Sequence, residues 1–110
     1  EVVEGLKPYL LELSATPVPA REQVTFHLFH NRPESQLTVG IMVYDMVGRL
    51  QWRHEETGSS ELFKSYTVTW DLTNNRGGRL RPGVYIYRAA ISSGGSKEAT
   101  EAKKLIILAQ

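Results

Sequence analysis

Three histidines are the first residues to weigh for chemistry, because a neutral imidazole serves equally as metal ligand and general base. His27 and His30 stand three apart, a spacing that would pair them on one face of a helix. The segment around them alternates instead: Val24, Phe26 and Leu28 interleave with Thr25, His27 and Phe29. In a strand an odd spacing sends two side chains to opposite faces. The expected arrangement is an outward His27 and a turn His30 bonding locally, with no shared metal, since two ligands without a third hold a metal poorly. His54 reads as a lone loop or strand-end residue. Asp71-Leu72-Thr73-Asn74-Asn75-Arg76-Gly77 carries oxygen side chains at alternate positions, as a calcium loop does. Its glycine comes one residue late, however, and Pro82 falls where a bidentate glutamate is needed, so a strand-ending turn is expected.

Gly94-Gly95-Ser96-Lys97 looks like the end of a phosphate-binding loop, but the leading glycine is missing, since position 90 is Ala. A hairpin accounts better for those glycines. Nucleophilic catalysis needs a base and an orienting group beside a serine or threonine, and no glycine-flanked serine elbow occurs. The chain has no cysteine, which excludes disulfides, thiolate zinc sites and a cysteine nucleophile. No catalytic, metal or cofactor-binding residue is therefore assigned, and the domain is expected not to be an enzyme. Arg76, Arg79, Arg81 and Arg88 are close in sequence and could meet an acidic partner or an anionic glycolipid, although a solvated loop is the simpler reading. Trp52, Trp70, Tyr85 and Tyr87 fall at core parities rather than on a stacking surface for sugars or bases.

The chain's length and composition fit this. Its 110 residues suit one domain and not two ordinary cores. Thirteen lysines and arginines against twelve aspartates and glutamates leave a net charge of +1, which argues against a nucleic-acid binder, whose affinity comes from clustered cations. The longest apolar run, Leu105 to Ala109, has five residues, far short of the roughly 18 needed to cross a bilayer as a helix. The chain opens on Glu1 with no basic-then-apolar leader, as expected of a piece of something longer.

Glycines and prolines cut the sequence into short pieces with a period of two. Leu6 to Ala15, with Pro8, Tyr9, Leu11 and Leu13, is expected as a first or edge strand, stopped by Pro17-Val18-Pro19. Val24 to Phe29 forms a second strand, and His30 to Ser35 a turn. Leu37, Val39, Ile41 and Val43 mark the most regular strand, which turns at Asp45-Met46-Val47-Gly48 into a return strand holding Leu50 and Trp52. His54 to Ser60 is expected as a loop, and Leu62 to Leu72 as a strand facing Tyr66, Val68 and Trp70 inward. Asn74 to Gly78 and Pro82-Gly83 are turns; Val84 to Ile91 is a strand with Tyr85, Tyr87, Ala89 and Ile91 inside. A reversal at Ser92 to Ser96 leaves Leu105 to Leu108 as the last strand, with helix formers in Lys97 to Lys104 offering a turn or two of helix as the alternative. The expected fold is all-β, an immunoglobulin-like sandwich of about seven antiparallel strands in two sheets, forming a single domain over residues 1–110.

The end of the chain is its most informative part. Leu105-Ile106-Ile107-Leu108 is apolar at both parities, so both faces must be covered or one left for a partner. Lys103 and Lys104 would keep such an edge strand soluble until the partner arrives. Lys103, Lys104, Leu105, Ile106, Ile107 and Leu108 are thus the candidate partner-binding residues, and open edges would also let copies of the chain pair.

Pro17-Val18-Pro19 before a strand, Val43-Tyr44-Asp45-Met46-Val47-Gly48-Arg49 at a hairpin, Pro82-Gly83-Val84-Tyr85 opening a late strand and Lys104-Leu105-Ile106 near the terminus together resemble the C-terminal sorting domain of the type IX secretion system of Bacteroidetes. The resemblance runs from about Ser14 to Gln110. Phe29-His30-Asn31-Arg32-Pro33, Trp70-Asp71 and Gly83-Val84-Tyr85-Ile86-Tyr87-Arg88 make the chain similar to the C-terminal domain of the system's own sortase, a gingipain-family cysteine peptidase whose catalytic residues would lie upstream. The resemblance implies a non-catalytic domain that directs an upstream passenger through the periplasm and across the outer membrane to the cell surface. Its partners would be an outer-membrane shuttle protein and the translocon, engaged by strand-edge pairing, and in the sortase the domain would stay attached as a tether. Two other readings have a basis in the residues. Trp70-Asp71, Asn75, Gly77 and Pro82-Gly83-Val84-Tyr85 also resemble the immunoglobulin-like module of flagellar hook-capping proteins, and a carbohydrate-binding sandwich would need Trp52 or Trp70 exposed and flat.

Overall fold

In the computed structural model, residues 11–30, 36–59, 65–93 and 96–109 are described. The expected contributions of Pro8, Tyr9, the turn at Asn31 to Ser35, Leu62 and Gly94-Gly95 lie outside them. Eight strands are present among the described residues: β1 (Leu11–Thr16), β2 (Val24–His30), β3 (Gln36–Tyr44), β4 (Leu50–Ser59), β5 (Ser65–Trp70), β6 (Gly83–Ser93), β7 (Ser96–Ala99) and β8 (Lys103–Ile107). Sheet A has the order β1-β2-β5, and sheet B the order β4-β3-β6, with β7 and β8 sharing the far edge of β6. All these pairings are antiparallel, so the expected two-layer all-β sandwich is what the chain forms.

The inward parities are those the alternation indicates. Val24, Phe26 and Leu28 from sheet A meet Val39, Ile41 and Val43 from sheet B, and all six are fully buried. Burying side chains of this kind contributes roughly 1.5–3 kcal/mol each, the main term opposing chain entropy. Phe26 is the hub: its ring lies 6.0 Å from Trp52, 6.0 Å from Trp70 and 5.4 Å from Tyr87. The two indoles stack 4.8 Å apart, so an aromatic layer joins the sheets.

Four expectations are corrected. Residues from His54 to Ser59 are strand rather than loop, because β4 pairs along the whole of β3, with the Thr38 and Thr57 hydroxyls 2.9 Å apart; an outer strand can be polar and still form a ladder. The strand expected to end at Leu72 stops at Trp70. Leu72 takes φ 65°, a costly region for leucine, held by its carbonyl accepting from Leu80 N–H and by Trp70 Nε1–H donating to the Thr73 carbonyl. His30 closes β2 and is 4% exposed, not a turn residue. Part of Lys97 to Lys104 forms strand, not loop or helix, because β7 and β8 find open positions on β6.

The junction of β7 and β8 explains the eighth strand. Ala99 pairs with Ala90 and Lys103 with Tyr87, so residues 100–102 face only Arg88 and Ala89. This is the one-residue excess of a β-bulge. Thr100 bridges it, its N–H donating to the Ala89 carbonyl and its hydroxyl accepting from the Ala89 N–H. The extra residue resets the register so that Leu105 and Ile107 point inward.

The turns use the expected chemistry. Gly48 and Gly77 both adopt φ +89°, where a side chain would be strained. Asp45 organises its hairpin by accepting from the N–H groups of Val47 and Arg49 and from both the Arg49 and Gln51 side chains. The Arg49 N–H bond is the leading cause holding the Asp45 carboxyl below its ordinary pKa.

Candidate functional site

The last strand divides by parity. Leu105 and Ile107 are 0% and 1% exposed and belong to the core, whereas Lys104 and Ile106 face outward and Leu108 is half-buried. Ile106 sits opposite Val84, and both are exposed. Lys103 reaches sideways: its Nζ donates to the Leu13 carbonyl at 2.7 Å, linking sheet B to sheet A. So one face of the apolar strand is covered by the sandwich and the other is presented to solvent.

The free edge of β8 is partly occupied. Ala20 forms a parallel bridge with Ile107, donating to the Ile106 carbonyl and accepting from the Leu108 N–H, both at 2.7 Å. Arg21 reaches the Ala109 carbonyl at 2.7 Å, and Arg79 reaches the carbonyls of Arg21 at 2.5 Å and Leu108 at 3.3 Å. Pro17-Val18-Pro19 thus does more than stop β1: it carries the chain from sheet A to sheet B. At the opposite edge Asn75 imitates a strand, its side-chain amide accepting from Arg53 N–H and donating to the Arg53 carbonyl. These contacts narrow the room for strand-edge pairing between copies.

The arginines expected near one another do different work. Arg79 is committed to the terminal clasp, while Arg88 leaves sheet B from its outer face, 5.9 Å above the Tyr44 ring. His27 and His30 point to opposite faces of β2, and His27 Nε2 lies 3.3 Å from Thr16 Oγ1. Among the described residues no group of three His, Cys, Asp or Glu side chains is placed to hold a metal. Asp71 accepts from the Thr73 hydroxyl at 2.6 Å, as in a turn. Trp52 and Trp70 are only 9% and 3% exposed, which removes the flat exposed indole that sugar binding required.

Sequence reasoning missed one polar link. Across the mouth between β4 and β5, the Tyr66 hydroxyl donates to Glu56 Oε1, and His54 Nε2 lies 3.4 Å from the same oxygen while its ring stacks on Trp52 at 5.8 Å. The alternation of Trp52, His54 and Glu56 on one face of an extended β4 is the signal that could have revealed it. The Tyr66 bond, first, and His54 hold the Glu56 carboxyl below its ordinary pKa, and burial with the Glu56 bond pushes the Tyr66 hydroxyl up. A carboxyl whose pKa is depressed by folding stabilises above its unfolded value, about 4.3, and ceases to do so as acid protonates it. The melting temperature is therefore expected to fall as pH drops below about 5, and to fall less steeply in a Tyr66→Phe variant. Equal slopes in the two proteins would show that the bond does not couple the sheets.

No protein-family model matches the chain, and no curated protein sequence does. Among solved structures the chain is similar to components of the type IX secretion system. The chain is similar to PorU from Porphyromonas gingivalis, solved as a latent dimer, at 38% identity and a TM-score of 0.85 over 99% of its length. The matched part is the C-terminal region of PorU, and the chain spans only 10% of that protein. PorZ, an essential surface component of the type IX system of the same bacterium, matches over 87% of this chain and 11% of its own, at 20% identity and a TM-score of 0.53. CopC from Methylosinus trichosporium matches at 15% identity and a TM-score of 0.51, covering 91% of this chain and 95% of its own. The last two share the fold alone.

Proposed function

We propose that the chain is a docking domain of the type IX secretion system, without catalysis of its own, retained at the C-terminal end of a cell-surface sortase. It directs the upstream passenger through the periplasm and across the outer membrane, and holds it there by binding the outer-membrane shuttle protein and the translocon. The observation that supports this reading is the match of 99% of this chain to the C-terminal region of PorU at a TM-score of 0.85. The contact assigned from the sequence, Lys103 to Leu108, is supported by the outward placement of Lys104 and Ile106 beside Val84.

Removing the last strand outright is a poor test, because Leu105 and Ile107 would leave the core with it. A Lys104→Glu, Ile106→Asp double variant of the full-length protein alters only outward side chains. Its expected result is accumulation in the periplasm, followed by cell fractionation, with the wild type reaching the surface. Surface display equal to wild type would overturn this contact and the docking role built on it.

A further inference from the structure

The two outer faces of the sandwich differ in chemistry. Sheet A presents hydroxyls, with Thr25 Oγ1 and Thr69 Oγ1 3.0 Å apart, and its three strands contain no lysine or arginine. Sheet B carries its own hydroxyl pair, Thr38 and Thr57, at one end, and apolar and cationic side chains toward the β3–β4 hairpin and β8. Of the seven exposed large hydrophobic residues among those described, five, Met46, Val47, Leu50, Val84 and Ile106, lie on sheet B or its hairpin. Register joins them through half-buried neighbours: Leu50 faces Tyr44, Tyr44 faces Ile86, and Val84 with Ile106 forms the next row. A depression between the hairpin and the bulge is lined by Tyr44, Asp45, Met46, Ile86, Arg88 and Ala102.

Cations stand beside this strip, with Arg88 over the Tyr44 ring and Lys104 opposite Ile86. Among the described residues Arg88, Lys97 and Lys104 have no carboxylate at ion-pair distance. The acidic groups nearby are already engaged, Glu55 by Arg53 at 2.6 Å and Asp45 by Arg49 at 2.9 Å. An apolar centre with an unneutralised basic rim is complementary to a surface of the opposite pattern, and rim charge sets encounter rate and salt dependence.

We infer that the outer face of sheet B, from the β3–β4 hairpin to β8, docks a protein surface with an apolar centre ringed by carboxylates. The inference rests on the proposed function, in which that protein is the outer-membrane shuttle, and it extends the contact beyond the last strand to Leu50, Tyr44 and Arg88. A side chain of the partner fills the depression beside Arg88, and its carboxylates meet Arg88, Lys97 and Lys104.

The test is titration of the purified shuttle protein from the same organism against the full-length protein carrying this chain, at low and high salt. Leu50→Asp and Arg88→Glu are each expected to weaken binding about tenfold or more. Phe29→Asp, on sheet A, is expected to bind as wild type, and wild-type affinity to fall as salt rises. Far-UV circular dichroism and melting curves establish that each variant is folded. Wild-type binding by both Leu50→Asp and Arg88→Glu overturns the inference and leaves the docking role standing. Loss in Leu50→Asp alone, with affinity indifferent to salt, overturns the acidic character of the partner surface. No binding by the wild type overturns the inference and the docking role together.

Discussion

A Leu105→Asp variant is expected to be unfolded at room temperature, whereas Ile106→Asp, one residue on, melts cooperatively within about 1 kcal/mol of the parent. The two positions share a strand and a chemistry and differ only in parity. Leu105 is sealed between the sheets at 0% exposure, while Ile106 is 39% exposed beside Val84. A carboxyl at position 105 has no cation to meet it in the core; taking up a proton, leaving its polar atoms unsatisfied and losing the leucine's burial together cost an amount comparable to the roughly 5–15 kcal/mol that separates a folded domain from its unfolded chain. At 106 the same carboxylate stays in water and loses only strand propensity, of the order of 1 kcal/mol. Urea denaturation of both proteins measures the difference. A folded Leu105→Asp domain would place the last strand in the other register.

The second large effect is expected from Phe26→Ala, at about 3–5 kcal/mol by chemical denaturation. Its ring touches Trp52, Trp70 and Tyr87, contributed by three further strands of both sheets. These bulky rings are fixed by their own backbones and by the Trp70 bond to Thr73, so the cavity cannot close over easily. A loss below about 1.5 kcal/mol would mean that the indoles collapse into the space and that Phe26 is not the hub of the core.

The layers were readable wherever side chains alternate under a buried face. Val24 to Leu28, Leu37 to Val43 and Tyr85 to Ile91 all lie on inner strands or beside them, where one parity must be apolar. Edges obey a weaker rule. β4 beyond Arg53 runs His-Glu-Glu-Thr-Gly-Ser, a loop by composition, and becomes strand because β3 is long enough to template it. β7 was hidden for the same reason, since Ser-Lys-Glu-Ala says nothing of the vacant half of β6. His30 looked like part of a turn because Pro33 and polar residues follow it, yet its parity with Leu28 turns it inside.

The candidate site was legible only in part. Four apolar residues in a row at the end of the chain announced a strand with two demanding faces. Which face the core takes depends on the bulge at 100–102, and a single surplus residue leaves no mark in composition. The row from Leu50 through Tyr44 to Ile86 joins residues 42 positions apart at its extremes, from Tyr44 to Ile86, through register that no local pattern encodes.

The Ala20 bridge bears on mechanics. Residue 20 and the final strand run parallel, and their two hydrogen bonds are reinforced by the guanidinium groups of Arg21 and Arg79. Tension drawn between the two ends of the domain would load this seam lengthwise, so its bonds must rupture together instead of opening one after another like a zip. Under the proposed function, in which the domain would anchor an upstream passenger, that geometry would make the anchor resist a tug along the chain far better than a peel.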